Sequence, residues 1–278
     1  MTLETTRSAG DLDRVARDTD APELAAAAYT QLVALLEQLE PDEWRAPTVC
    51  RAWNVADLVG HVIGAARSCA SVPELVRQQW WGRRHADEFD GNGLDATNAL
   101  QVREHAHLSP QQRLARLRAL APAAVRGRMR LPSPLRRARL PIAPQGSTAA
   151  GMPTHFALGR LMDVIYTRDV WMHTLDVARA TGRPRPQAPT LDRRIVEDVV
   201  REWMERHGAP LLLTLTGAVE LRVTNGAATQ QLELDALDFC WVLSGRADVG
   251  GAADGRTPVS LQATPVEAAG LLRTRLLF

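Results

Sequence analysis

The sequence predicts an α+β protein built in two parts. A helical bundle occupies residues 22–182 and a small α/β domain residues 190–278, with a polar arm at 1–21 and a linker at 183–189. Three observations carry this reading. Apolar residues recur at helical spacing through the first two-thirds of the chain. The stretch Arg183-Pro-Arg-Pro-Gln-Ala-Pro189 then breaks the pattern with a run of prolines. Beyond it, short apolar alternations separated by Gly217 and by Asn225-Gly226 have the period of strands, and Asn-Gly signals a hairpin turn.

Composition narrows the function. With 278 residues the chain suffices for one large or two ordinary domains, and 45% apolar with 23% charged residues is a globular balance. A formal net charge of +1 exerts no overall pull toward nucleic acid or membrane, so neither is an expected partner. Every basic residue is Arg; the absence of Lys excludes a lysine Schiff base or lysine nucleophile. Cys50, Cys69 and Cys240 are odd in number, widely spaced and free of any CxxC pair, as in a reducing cytoplasm. The first residues lack a signal-peptide pattern, and no apolar run reaches the roughly 20 residues that span a bilayer. A cytoplasmic location is expected.

Residues 1–21 are polar and read as a loose arm. From Pro22 to Leu39 the spacing of Leu24, Ala28, Leu32, Leu35, Leu36 and Leu39 predicts a first core helix. A loop holding Trp44, Cys50 and Trp53 follows, with Cys50 read as packing beside Trp53. Asn54 is the expected N-cap of a second helix to about Ala70, which places His61 among Val55, Leu58, Val59, Val62 and Ile63. Trp80 and Trp81 follow as core residues or pocket candidates. A third helix is expected over Asp95–Val125, broken where Ser109 and Pro110 form an N-cap and N1 pair. His105 and His107 are two apart and read as surface or hinge histidines. Six arginines between Arg126 and Arg139 alternate with prolines, which predicts a long extended loop. That loop is either an anion-binding rim or a solvated surface. His155 is a spare imidazole before the next helix, Tyr166–Gly182. After the linker come a helix at 190–207, strands at 211–215, 219–224 and 230–234, a helix at 236–244, a strand near 259–262 and a last helix near 265–276.

The Tyr166–Gly182 helix carries the chemistry. Asp169, His173 and Asp176 are four and three residues apart and so share one face, while Met172, Leu175 and Val177 fill much of the rest. A carboxylate and an imidazole on a buried helix either satisfy each other or hold a metal ion. His61, alone in its apolar helix, can supply a third ligand. Two His and one carboxylate with open positions form the ligand set of a catalytic metal site.

These two stretches, Trp53-Asn-Val-Ala-Asp-Leu-Val-Gly-His61 and Arg168-Asp-Val-Trp-Met-His-Thr-Leu-Asp-Val-Ala-Arg-Ala-Thr-Gly-Arg183, resemble the mycothiol-dependent maleylpyruvate isomerase-type branch of the DinB-like superfamily. The segments Leu213–Gly217, Leu221–Gly226 and Asp235–Arg246 resemble the sterol-carrier-like domain that follows the bundle in that family. The resemblance implies a DinB-like four-helix bundle followed by a small sterol-carrier-like α/β domain. It matches His61, Asp169 and His173 to the metal ligands, with Asp169 standing where the founding enzymes have Glu. It further implies a divalent ion, most plausibly zinc, and mycothiol as a thiol co-substrate. The thiol would add to an electrophilic small molecule, in S-transfer or in cis–trans isomerisation. Asp176 would orient a ligand imidazole or simply bond to the bundle interior. Arg246 would point an anion-binding side chain at the reaction, or cap the helix ending at Ser244. Two other readings stand beside this one: a non-catalytic small-molecule binding module, and a metal-free enzyme of secondary metabolism using the same bundle pocket.

Overall fold

The computed structural model describes residues 5–141, 155–228, 230–247 and 270–278. It is α+β, as expected, and divides into two compact units. Among the described residues one unit comprises 16–141 and 155–187, the other 5–15, 188–247 and 270–277. The first strand, β1 (Arg7–Ser8), belongs to the second unit.

In the bundle, α1 (Ala21–Leu36) buries Leu24, Ala28, Leu32 and Leu35 along one stripe. Asn54 starts α2 (Val55–Ala70) with a capping box: its side chain accepts from the Asp57 amide while the Asp57 carboxylate accepts from its own. Ser71 caps α3 (Val72–Arg84), and Asn92 caps α4 (Gly93–His105). The expected break falls where Ser109 and Pro110 sit: α5 (Pro110–Arg130) starts there, with Ser109 and Gln112 capping each other. After α6 (Ser133–Arg137), β2 (Arg139–Pro141) pairs antiparallel with β3 (His155–Ala157). A short turn α7 (Leu158–Arg160) and one π turn at Leu161–Ile165 lead into α8 (Tyr166–Thr181), which Gly182 ends at φ +69°. The four long helices form the bundle: α1 and α2 each pack on both α5 and α8. Helix α4 covers α2 from another side, closely enough at Gly64 that a Cβ there would meet the Gln101 side chain at 2.5 Å. Among the described residues no helix is long and apolar enough to cross a membrane.

Three sequence expectations in this unit are corrected. Residues 126–139 are not an extended loop: α5 runs through Arg130 and α6 follows at once. Pro132 and Pro134 lie at the start of α6, where a missing N–H removes no helical hydrogen bond, so the prolines open a helix there. His105 is no surface histidine. It is 1% exposed, its Nδ1 2.7 Å from the Gln101 carbonyl, and burial holds its imidazole below the ordinary value. Trp80 is exposed rather than core, while Trp81 stacks on His85 with ring centroids 3.9 Å apart.

The second unit starts with α9 (Pro189–His207), stopped by Gly208 at φ +64°. Strands β4 (Leu211–Thr216), β5 (Leu221–Asn225) and β6 (Gln231–Asp235) precede α10 (Ala236–Leu243), capped by Asp235. The sheet order is β1-β5-β4-β6. The hairpin lies between β4 and β5, around Gly217. Asn225-Gly226 does turn the chain, but toward β6, which pairs parallel to β4 on its other side; no hairpin forms there. The expected strand at 259–262 lies outside the described residues, as does most of the final helix; from Gly270 onward the chain is one turn and an irregular end.

The N-terminal arm is also corrected. Residues 7–15 are fixed: β1 pairs parallel with β5, and Leu12 is fully buried. Arg7 meets Glu197 at 2.7 Å, Arg14 pairs with Glu205, and the Val15 amide donates to Asp198 at 3.0 Å. Acidic side chains on α9 thus tie the segment to its unit.

Candidate metal centre

His61 sits on α2 and Asp169 and His173 lie one turn apart on α8, and the three converge. One ligand-capable atom from each lies within 4.8 Å of the other two. The Asp169 carboxylate stands between two imidazoles: Oδ1 is 3.2 Å from His173 Nε2 and Oδ2 is 3.6 Å from His61 Nε2. The rings meet edge to face, with centroids 5.3 Å apart. Both histidines are nearly enclosed, whereas the Asp169 side chain keeps 19% of its exposure, so the cluster opens on the Asp169 side. One π turn, Leu161–Ile165, lies just before α8.

Each imidazole is held differently. His173 Nδ1 lies 2.7 Å from Asp176 Oδ2, a buried contact that holds a proton on Nδ1 and turns Nε2 toward Asp169. His61 Nδ1 is buried and has no hydrogen-bond partner, and its ring is positioned by stacking on Trp53, centroids 5.0 Å apart. Trp53 also reaches the His173 ring at 6.5 Å. Cys50, read from the sequence as packing beside Trp53 rather than as a ligand or nucleophile, is a further neighbour. Its sulfur forms a second close group with His173 and Asp176, again within 4.8 Å.

The electrostatics suit a cation. Burial raises the Asp169 carboxyl, but the charges and hydrogen bonds of His173 and His61 outweigh it and hold the group well below the usual carboxylate range. Burial pulls His173 down, and the negative Asp169, with hydrogen bonds to Asp169 and Asp176, overcomes that and raises it to about 9. Two imidazoles and a carboxylate, with a second carboxylate behind one ring, match a divalent ion in donor type and in charge. The residues present therefore fit one.

The other sequence candidates fall elsewhere. His105 is held within α4, and His107 is exposed. Of the arginines between 126 and 139, Arg136 pairs with Asp163 and Arg128 is buried in the bundle, while Arg126, Arg130, Arg137 and Arg139 are exposed. Arg246 belongs to the second unit. Its backbone amide donates to the Trp241 carbonyl beyond α10, and its guanidinium lies 6.0 Å over the Trp241 ring. The sequence reading gave no role beside His61 to Trp53: a residue just before a helix cap lies outside the helical period.

Fold and site together define a helical-bundle protein with a two-histidine, one-carboxylate candidate metal centre, joined to a small α/β unit. Residues 25–178, just over half the chain, match the model of the mycothiol maleylpyruvate isomerase N-terminal domain, and the chain belongs to that family. A crystal structure of the mycothiol-dependent maleylpyruvate isomerase superposes with a TM-score of 0.50 at 14% identity, over 91% of this chain and 98% of that one. A second, of a histidine-to-alanine variant of the mycothiol-dependent maleylpyruvate isomerase, gives 0.49 at 13%, over 87% and 93%. At these identities the likeness concerns the fold. No curated protein matches the chain.

Proposed function

We propose that the protein is a thiol-dependent isomerase or S-transferase that uses mycothiol against an electrophilic small molecule. A divalent ion, zinc, would be held by His61, Asp169 and His173. The observation that carries the reading is the convergence of these three side chains with His173 locked by Asp176; family membership supports the thiol. When bound, the ion supplies a Lewis acid that keeps a thiol ionised at neutral pH.

The chain's own residues do the positioning. Asp176 fixes the His173 tautomer so that Nε2 faces the centre. Trp53 covers one face of the His61 ring and keeps water from it. Asp169, the most open of the three, marks the side from which the thiol and electrophile enter. There the sulfur forms a C–S bond to an activated alkene and the π electrons move to the conjugated carbonyl oxygen. Protonation of that enolate leaves a stable conjugate. Rotation about the former double bond, followed by loss of the thiolate, restores the alkene as its other isomer. Arg246 is proposed to bind an anion.

One set of measurements tests the reading. Elemental analysis of the dialysed protein should find about one zinc per chain, and Asp169→Asn should lose it while melting cooperatively. Arg246→Ala should retain the metal but need more thiol or anionic substrate for half-maximal rate. A protein that binds no transition ion, or an Asp169→Asn variant that keeps its ion and only melts lower, supports instead a binding module in which Asp169 and the histidines satisfy each other.

A further inference from the structure

Helix α5 buries Arg113, Leu117, Ala124 and Arg128 along a single stripe, so two of its four buried side chains are arginines. They are satisfied very differently. Arg113 is a backbone clamp: Nε donates to the Leu108 carbonyl at 3.1 Å, Nη1 to Ala56 at 2.9 Å and Nη2 to Ala106 at 3.2 Å. Arg128 has no exposed surface, yet only its Nη2 is engaged, donating to Thr167 Oγ1 at 2.7 Å. Its Nε and Nη1 are buried without partners, and among the described residues no carboxylate pairs with it. An enclosed, unpaired cation with idle donors is strongly unfavourable unless something negative joins it.

Arg128 and Asp169 act on the same neighbours. Tyr29 on α1, Cys69 on α2 and Tyr166 on α8 each feel both the positive charge of Arg128 and the negative charge of Asp169. Burial, the largest influence on all three, keeps both phenols and the thiol protonated.

We infer that Arg128 forms an anion subsite inside the bundle that takes a carboxylate of the electrophile reacting at His61, Asp169 and His173. The inference rests on the proposed reading that an electrophile reacts at those three residues. A carboxylate fits: the planar fork of a guanidinium matches its two oxygens. Thr167, two residues before Asp169 on the same helix, anchors the guanidinium and ties the subsite to the ligand-bearing helix.

The probe is maleate, a cis-unsaturated dicarboxylate, added to the zinc-loaded protein and followed by thermal melting and calorimetry. Wild type should melt higher as maleate is added. In Arg128→Met the maleate concentration at half-saturation should rise at least tenfold with zinc content unchanged. Without maleate, Arg128→Met should melt no lower than wild type, because the variant removes a buried unpaired charge. A wild type indifferent to maleate, or an Arg128→Met variant that binds it as well as wild type, overturns the subsite; the second result would place the carboxylate on the metal or elsewhere. Should Arg128→Met not fold, Thr167→Val decides: it keeps the charge and removes its anchor, so weaker maleate binding supports the subsite and unchanged binding overturns it. Zinc content is read in the same samples. A chain without zinc whose maleate response still depends on Arg128 would sink the metal reading and leave the subsite standing.

Discussion

Asp176→Asn separates a designed metal site from a fortuitous cluster. The substitution keeps the shape of a fully buried side chain and an oxygen 2.7 Å from His173 Nδ1, but removes the negative charge. A hydrogen bond to a charged group contributes about 1.5–3 kcal/mol and one between neutral groups about 0.5–1.5, so the exchange weakens the hold on His173 by about 1–1.5 kcal/mol. At about 1.4 kcal/mol per tenfold, that is close to a tenfold loss of metal affinity. Outer partners of ligand histidines elsewhere cost about 10–100-fold when replaced, which brackets the same value. The assay is competition for zinc against a chromophoric chelator, beside a thermal melt of the metal-free proteins. Zinc affinity within twofold of wild type would refute the argument that Asp176 acts through His173 on an ion. An equal loss of melting temperature in metal-free and zinc-loaded protein would show that Asp176 serves packing alone.

Three further outcomes follow from the same geometry and from the sheet. In metal-free protein the His173 imidazole is raised from 6.5 to about 9, burial opposing the shift and Asp169 driving it. A folded value above the unfolded one gives stability that is complete below about pH 6.5 and lost as pH rises through about 9. Melts of chelated protein should therefore fall across that window, and a flat profile would contradict the assignment. Because an ion must displace that proton, zinc affinity should climb by about tenfold per pH unit between about pH 7 and 8. In the second unit, Leu12→Ala removes a fully buried side chain and should cost about 2–5 kcal/mol in a denaturant titration; a loss under about 0.5 kcal/mol would mean that the N-terminal segment is not part of that core.

Much of the bundle was legible because its signals are local. Asn54, Ser109-Pro110 and Gly182 mark helix ends by the chemistry of the caps, and apolar period marks the faces between them. The ligand-capable triad was legible for the same reason: Asp169 and His173 are neighbours on one helix face, and His61 is the polar exception in an apolar run. What escaped depends on distant partners. Two residues of β1 carry no strand pattern of their own; their pairing is specified by β5, more than two hundred residues later. Asn225-Gly226 forms its turn, but which strand follows is decided by the open edge of β4. Arg128 escaped through residue type alone. It lies four residues from Ala124 and eleven from Leu117, on the period of a core face, but an arginine among arginines and prolines reads as surface.

The pairing of β1 makes the bundle an insertion within the α/β unit rather than a domain placed before it. The edge strand is near the start of the chain, while its partner strand and the helix that anchors it come after the whole bundle, with side-chain contacts to the helix spanning 183–191 residues and Arg7 paired with Val223. Those contacts therefore close last. Bundle helices meet through nearer neighbours and can assemble as the chain emerges, whereas residues 7–15 must wait for α9 and β5. Closing so long a loop costs little more than closing one half its length, about 0.6 kcal/mol per doubling, and a folded bundle shortens the loop that remains. During synthesis the half-built sheet exposes the edge of β5 until the chain's own first strand returns to it. That interval is when the molecule is most open to pairing with a neighbouring copy.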